Sequence, residues 1–332
     1  MNVHSPDELV ATIQGLVGDA YEVTADMELL AAEEDERRGG RCDDRRRAAD
    51  IEAALGDDAV RALVALRGGA WFTRILPLID FTVLDRRTEP IWAVGFSELT
   101  TLVNLVGAHE RGRGFYSITP GFLTYGLRRH AATRLNEAQR KDLSPANWMR
   151  SRLRHEVATW FSSLAAVLGG ERCVGSIPAR LAGGELPAET QGVFVGGNLT
   201  VFSTLVGSRY EATVRPAGRW LLLEDFNDKL ERFDRFLAHL TLAGYWDDCA
   251  GILLGDFHQD ERALTGAVME LLRYHLPPGR AIPLLITDRV GHIWPAEPLL
   301  LHRPVLIRCS RDGHAELIWD AMSLMPDGTT PA

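Results

Sequence analysis

Pro90-Ile-Trp-Ala-Val-Gly-Phe-Ser-Glu-Leu-Thr-Thr-Leu-Val-Asn-Leu-Val106 decides how this chain is read. Its first half is a continuous apolar run, the pattern of a strand buried on both faces. Gly95 permits a sharp bend, and beyond Glu98 the apolar residues Leu99, Leu102, Val103 and Val106 recur at helical spacing. Ser97 therefore falls on a strand-to-helix turn, beside the positive end of a helix dipole. A serine there acts as an N-cap, or as an oxygen nucleophile with backbone N–H groups beside it for a developing oxyanion.

Just upstream, Arg61-Ala-Leu-Val-Ala-Leu66 reads as a second buried strand running into Arg67-Gly-Gly-Ala70. Two glycines directly after a strand let N–H groups face a ligand, or simply make a tight turn. Further back, Asp44 to Leu55 reads as a helix closed by Gly56, Tyr21–Thr24 as a short strand, and Asp7–Val17 as a helix. The charged stretch 31–47 reads as a solvated surface. Strands alternating with helices indicate a parallel sheet, and ligands of such sheets gather at the carboxyl ends of strands. Gly68, Gly69 and Ser97 share that rim. A fold of this class ordinarily opens with a strand, for which the residues before Asp7 leave little room.

Downstream, Phe115–Phe122 suggests a short strand and turn, and 143–168 a helical segment with Trp148, Trp160 and Phe161 in its core. Residues 1–170 are read as an N-terminal domain, the Gly- and Pro-rich stretch 171–190 as a linker, and 191–332 as a C-terminal domain. In the latter, Gly192–Thr200, Trp220–Asp225, Ala250–Phe257, Ile282–Thr287, Pro304–Cys309 and Ala315–Trp319 read as strands. Helices are expected over 200–206, from Asp228 to Gly244, and over 261–275. Glu224 and His292 each follow a buried strand, as Ser97 does. A hydroxyl nucleophile needs a base, and the base needs an acceptor that sets its tautomer, so the three residue types match the three roles.

Of the 332 residues, 46% are apolar, enough for sizeable cores, and the net charge is −9. Mixed charge with an acidic balance argues against nucleic acid or an anionic membrane as partner. Cys42, Cys173, Cys249 and Cys309 form no C-x-x-C pair, so reduced thiols in a cytoplasm are expected. No signal-peptide pattern and no bilayer-length apolar run is visible. Asp256, His258, Asp260 and Glu261 are the densest set of possible metal ligands. They match no H-E-x-x-H pattern and read as the solvated start of a helix, so neither metal nor cofactor is expected.

Arg67-Gly-Gly, Gly95-Phe-Ser-Glu-Leu-Thr100, Gly196-Gly-Asn-Leu199, Leu223-Glu-Asp225, Phe233-Asp-Arg-Phe-Leu237, Ala250-Gly-Ile-Leu-Leu-Gly-Asp256 and Val290-Gly-His292 follow one another in this order. Together they resemble the LD-carboxypeptidase family of serine peptidases, which includes muramoyl-tetrapeptide carboxypeptidases and microcin C self-immunity proteins. The resemblance runs from about Leu9 to Ile318. It implies an α/β protein: a flavodoxin-like N-terminal domain with a parallel sheet, and a smaller strand-rich α/β C-terminal domain. By position it implies Ser97 as nucleophile, Glu224 as orienting carboxylate and His292 as general base. Gly69 and the N–H of Glu98 would form the oxyanion hole, with Gly68 and Asn198 beside the substrate. It implies hydrolysis of an amide next to a terminal residue, in murein-derived tetrapeptides or in a peptidyl-nucleotide antibiotic, by a metal-free cytoplasmic homodimer.

The chain departs from the family pattern around the pocket. Glu98 replaces the usual Asp, Gly-Gly-Tyr-Gly becomes Gly68-Gly-Ala-Trp71, Glu-Asp-x-Gly-Glu becomes Glu224-Asp-Phe-Asn-Asp228, and His-Gly-Pro has its nearest counterpart in Thr119-Pro-Gly121. Two other readings stand beside the peptidase. An α/β-hydrolase esterase would carry G-x-S-x-G, but the fifth position here is Leu99. A non-catalytic binder of peptides or nucleotides would suit the altered loops.

Overall fold

The computed structural model describes residues 10, 11, 13, 14, 19, 21–26, 43–66, 68–119, 174–260, 262–293 and 296–320. The stretch that decided the reading forms strand β2, Ile91–Gly95, buried at every position. It pairs in parallel with β1, Ala62–Val64, on one side and with β3, Gly112–Tyr116, on the other. A strand enclosed in this way buries both faces, which is why it reads as an unbroken apolar run. Its upper face packs against helix α1, Asp44–Gly56, and 3-10 turns at Thr73–Leu78 and Phe81–Arg86, through Leu55, Ile75, Leu84, Ile91 and Ala93. After a 3-10 turn at Ser97–Leu99, helix α2 runs from Thr100 to Ala108 and is buried from Thr100 to Gly107.

The second body is a barrel. Its strands are β4, Val174–Gly183; β5, Glu189–Asn198; β6, Trp220–Phe226; β7, Gly251–Gln259; β9, Leu284–Ile286; β11, Pro304–Cys309; and β12, His314–Asp320. Their order is β6-β5-β11-β12-β4-β9-β7, and a β6–β7 pairing closes the ring. Closure removes the free edges that an open sheet would leave. The pairs β5–β6, β6–β7 and β7–β9 are parallel, and the others are antiparallel. The short β8, Arg262–Ala263, folds back on β7. Short helices α3, Leu199–Phe202, and α4, Glu211–Val214, precede β6, and helices α5, Leu230–Leu242, and α6, Thr265–His275, pack outside β6 and β7.

Alternation along β6 sorts its side chains. Trp220 and Leu222 join the core shared by barrel and first sheet, whereas Leu221 and Leu223 face the helices. By the same period Glu224 falls on the inner face and Asp225 on the helical one. A last strand, β10, Leu299–Leu301, leaves the barrel and pairs antiparallel with β3, so the C-terminal half completes the first sheet.

Several expectations need correction. Residues 171–190 are not a simple linker: from Val174 on they hold all of β4 and the start of β5. Tyr21–Thr24 is not a strand, because Gln14 holds it by accepting from Val23 N at 2.8 Å and donating to Tyr21 O at 2.9 Å. The helix expected from Glu261 begins at Thr265, after β8. The segment 143–168, with its aromatics, and Pro120-Gly121 lie outside the described residues. Among the described residues, no helix is long and apolar enough to cross a membrane.

Candidate active site

Ser97 sits where β2 ends and the turn into α2 begins, with φ of 58°. A side chain rarely adopts the left-handed region, and such outliers concentrate at functional sites. Close against it runs the loop after β1. A Cβ on Gly68 would stand 3.3 Å from Ser97 Cβ and 3.5 Å from its Oγ, so only a bare backbone approaches so closely. The same loop holds Trp71 at φ 71°, in the left-handed conformation that a glycine would adopt freely. Arg74 lies over the Trp71 ring at 5.5 Å and is itself paired with Asp44 at 2.8 Å.

Glu98 fastens this loop. Its Oε1 accepts from Thr73 N at 3.0 Å and from Thr73 Oγ1 at 3.3 Å. The carboxylate therefore ties the Ser97 turn to the loop that carries Gly68 and Gly69.

Glu224 and His292 lie side by side. His292 Nδ1 lies 2.8 Å from Glu224 Oε2, and Glu224 is fully buried. Burial alone would raise this carboxyl. His292 beside it, and hydrogen bonds from His292, Tyr116 and Asn198, outweigh that and hold it below the ordinary glutamate value. A charged carboxylate only accepts, so Nδ1 carries the proton of this bond and Nε2 becomes the basic nitrogen of the neutral ring. The imidazole is held between Phe226, stacked at 5.0 Å, and Phe96, tilted at 4.6 Å. Backbone closeness is needed here too: Gly291 has φ 121°, and a Cβ on it would lie 2.9 Å from Glu224 Oε2. The β6–β7 register slips between Leu223 and Asp225, so an irregularity in the ladder sits at Glu224. Bulges of this kind re-aim side chains next to functional sites.

Sequence reasoning missed Tyr116. The β2–β3 register sets it beside Gly95, and its phenol donates to Glu224 Oε1 at 2.6 Å. The same oxygen accepts from Ser97 N at 3.4 Å. Burial, and then the charge of Glu224, push the phenol well above its ordinary value, so it remains a donor. A tyrosine inside an apolar strand carries no sign of this in one dimension; only the parallel register reveals it.

Asn198 is the register partner of Glu224. Its Oδ1 accepts from Val201 N at 3.1 Å, and its Nδ2 donates to Asp225 Oδ1 at 3.0 Å. Its amide thus supports the carboxylates and caps α3. Asp225 also accepts from Thr200 N at 2.8 Å, Thr200 Oγ1 at 2.7 Å and Phe226 N at 2.7 Å; burial and the neighbouring Glu224 charge still push it up to about 6. Among the described residues, no three His, Cys, Asp or Glu side chains gather as a metal site. Within the cluster singled out above, His258 Nδ1 pairs with Asp256 Oδ2 at 2.5 Å.

Fold and site together define an α/β protein in which a tyrosine phenol links the backbone N–H of a serine at the end of one sheet to a glutamate–histidine pair carried by a barrel. The sequence model of the LD-carboxypeptidase N-terminal domain matches residues 3–117, and that of the C-terminal domain matches residues 191–307. This chain belongs to the LD-carboxypeptidase family. It is 26% identical over 258 residues to the "Probable murein peptide carboxypeptidase" of Bacillus subtilis, covering 76% of this chain and 70% of that one. In fold it is similar to a muramoyltetrapeptide carboxypeptidase from Oxalobacter formigenes, with TM-score 0.58, 20% identity and 95% of each chain covered. It is similar also to MccF in complex with glutamyl sulfamoyl guanosine, with TM-score 0.58, 17% identity, and 82% and 80% covered.

Proposed function

We propose that this chain is a serine-type LD-carboxypeptidase that removes the terminal D-amino acid of murein-derived tetrapeptides. The observation that carries the proposal is the hydrogen-bonded chain from His292 Nδ1 through Glu224 and the Tyr116 hydroxyl to Ser97 N. It supports the reading by connecting a base, its orienting carboxylate and the backbone of the serine in one set. In this reading Ser97 Oγ attacks the carbonyl of the terminal peptide bond while His292 Nε2 takes its proton. Glu224 stays ionised and stabilises the imidazolium. The N–H groups of Gly69 and Glu98 receive the oxyanion. Collapse breaks the C–N bond, His292 returns the proton to the departing amine, and water then cleaves the acyl-serine by the same path in reverse. No metal or cofactor takes part.

A second reading is hydrolysis of a peptidyl or aminoacyl nucleotide. It is favoured by the likeness in fold to MccF and by the departures at Trp71 and Glu98 on the pocket loop. Both readings carry cytoplasmic action and a homodimer, which fractionation and sedimentation would test. The deciding experiment is a mass-spectrometric assay of wild type and Ser97→Ala. One arm uses L-Ala-γ-D-Glu-meso-diaminopimelate-D-Ala and the other an aspartyl sulfamoyl adenylate. Release of D-alanine by wild type alone supports the first reading, and cleavage of the adenylate alone supports the second. Binding without cleavage of either, unchanged by Ser97→Ala, would make the chain a binder.

A further inference from the structure

We infer that Tyr116 is a positioning residue for this site, its hydroxyl keying the Ser97 turn to the Glu224 carboxylate and keeping that carboxylate charged. The inference rests on the triad reading above and adds a member to it. Tyr116 is only 1% exposed, so no bulk water stands ready to replace its hydroxyl. The two carboxylate oxygens are shared out: Oε2 faces His292 at 2.8 Å and Oε1 takes the phenol at 2.6 Å. The phenol oxygen then accepts the Ser97 N–H at 3.4 Å. One atom therefore touches a group from the first sheet and a group from the barrel, at the seam where the two bodies must stay in register for proton transfer.

Two consequences follow from removing it. A buried carboxylate oxygen loses a donor, which costs more than an exposed bond would. The carboxyl moves up toward its ordinary value, because a hydrogen bond to its charged form has been taken away. The other groups around Glu224 are Asn198 on β5, Asp225 beside it on β6, Asp256 on β7 opposite the slipped register, and His292 in the loop after β9, while Thr100 on α2 lies beside the phenol. His258 packs on the Phe226 ring at 4.6 Å and pairs with Asp256. Asp225 titrates in a nearby range and is raised in part by the Glu224 charge, so its own carboxyl resonance is followed beside that of Glu224.

The test uses the full chain with Tyr116→Phe and, as a shape-preserving second variant, 3-fluorotyrosine at position 116, whose phenol is a stronger donor. The Glu224 carboxyl is followed by carbon-13 NMR against pH, assigned with Glu224→Gln, and kcat and KM are measured on the tetrapeptide. Tyr116→Phe is expected to raise the Glu224 midpoint and the acid limb of kcat/KM by about one pH unit. It should lower kcat about tenfold and leave KM within about twofold. The fluorinated phenol should move both midpoints the opposite way. Carboxyl midpoints that coincide in all three proteins would overturn the inference. Full cleavage by Ser97→Ala would instead remove the triad reading, and the carboxyl titration would still decide the role of Tyr116.

Discussion

Asn104 on α2 grips both backbone groups of Gly196 on β5: its Oδ1 accepts from Gly196 N at 3.1 Å, and its Nδ2 donates to Gly196 O at 2.8 Å. This amide joins the helix that follows Ser97 to the barrel strand that ends beside Glu224. Thr100 adds a second tie one turn earlier, donating to Ser97 O at 2.6 Å and accepting from Asn198 N at 3.1 Å. Asn104→Ala would strand two buried backbone groups. It is expected to destabilise the fold by about 3 kcal/mol, read from urea denaturation, and to lower kcat through lost register.

His302 orients that same amide, its Nε2 lying 3.2 Å from Asn104 Oδ1 while Nδ1 faces Arg219 Nη1 at 3.2 Å. Burial first, then the charges of Arg219 and Arg303, push this imidazole down to about 3. The folded histidine stays neutral where the unfolded one, with an ordinary value near 6.5, takes up a proton. Stability from this group is therefore complete above pH 6.5 and is lost as pH falls from there toward 3. The stability difference between wild type and His302→Gln should change by about 1.4 kcal/mol per pH unit across that window. A difference that stays constant with pH would contradict the neutral assignment.

The left-handed conformation of Ser97, φ 58°, separates two inactivating substitutions. Ser97→Ala keeps a Cβ in that region and Ser97→Gly does not. Both are expected to abolish turnover, with the glycine variant more stable by about 1 kcal/mol in thermal or urea unfolding.

Glu224→Gln should leave the fold intact and reduce kcat by roughly three to four orders of magnitude, since the neutral amide no longer stabilises the imidazolium. In wild type the rate should rise with pH as the base loses its proton, then level off. A flat profile from about pH 5 to 8 would count against His292 as the base.

Glu98→Ala frees Thr73 N and Oγ1, and with them the loop that carries Gly68 and Gly69. A fall in kcat of about tenfold is expected, with the acid limb unmoved. That pattern would separate it from Tyr116→Phe, whose acid limb shifts.

The legible parts of this protein were those in which one local pattern dominates. The run Ile91–Gly95 announced a doubly buried strand, and the bend after it placed Ser97. The amphipathic spacing of Leu230, Phe233, Leu237 and Leu240 announced α5. Strand β4 was taken for part of a linker because Pro178, Gly183 and Gly184 are turn residues by preference. In the barrel, Gly175 is occupied from outside instead: a Cβ there would stand 2.0 Å from the Trp319 ring. Propensity yielded to packing.

The amino-acid sequence by itself determined the two chemistries of the chain, a parallel α/β sheet followed by a strand-rich body. It also marked a serine, a glutamate and a histidine close to apolar runs, because burial and turn formation leave marks within a few residues; Glu224 in fact lies inside β6 and His292 in the loop after β9. The tertiary structure alone decided what joins them. Barrel closure between β6 and β7, the return of β10 to the first sheet, and the contacts of Tyr116, Asn104 and His302 link residues between 31 and 198 positions apart. Such contacts depend on strand register and on the approach of two separate bodies, and neither is written in any local period.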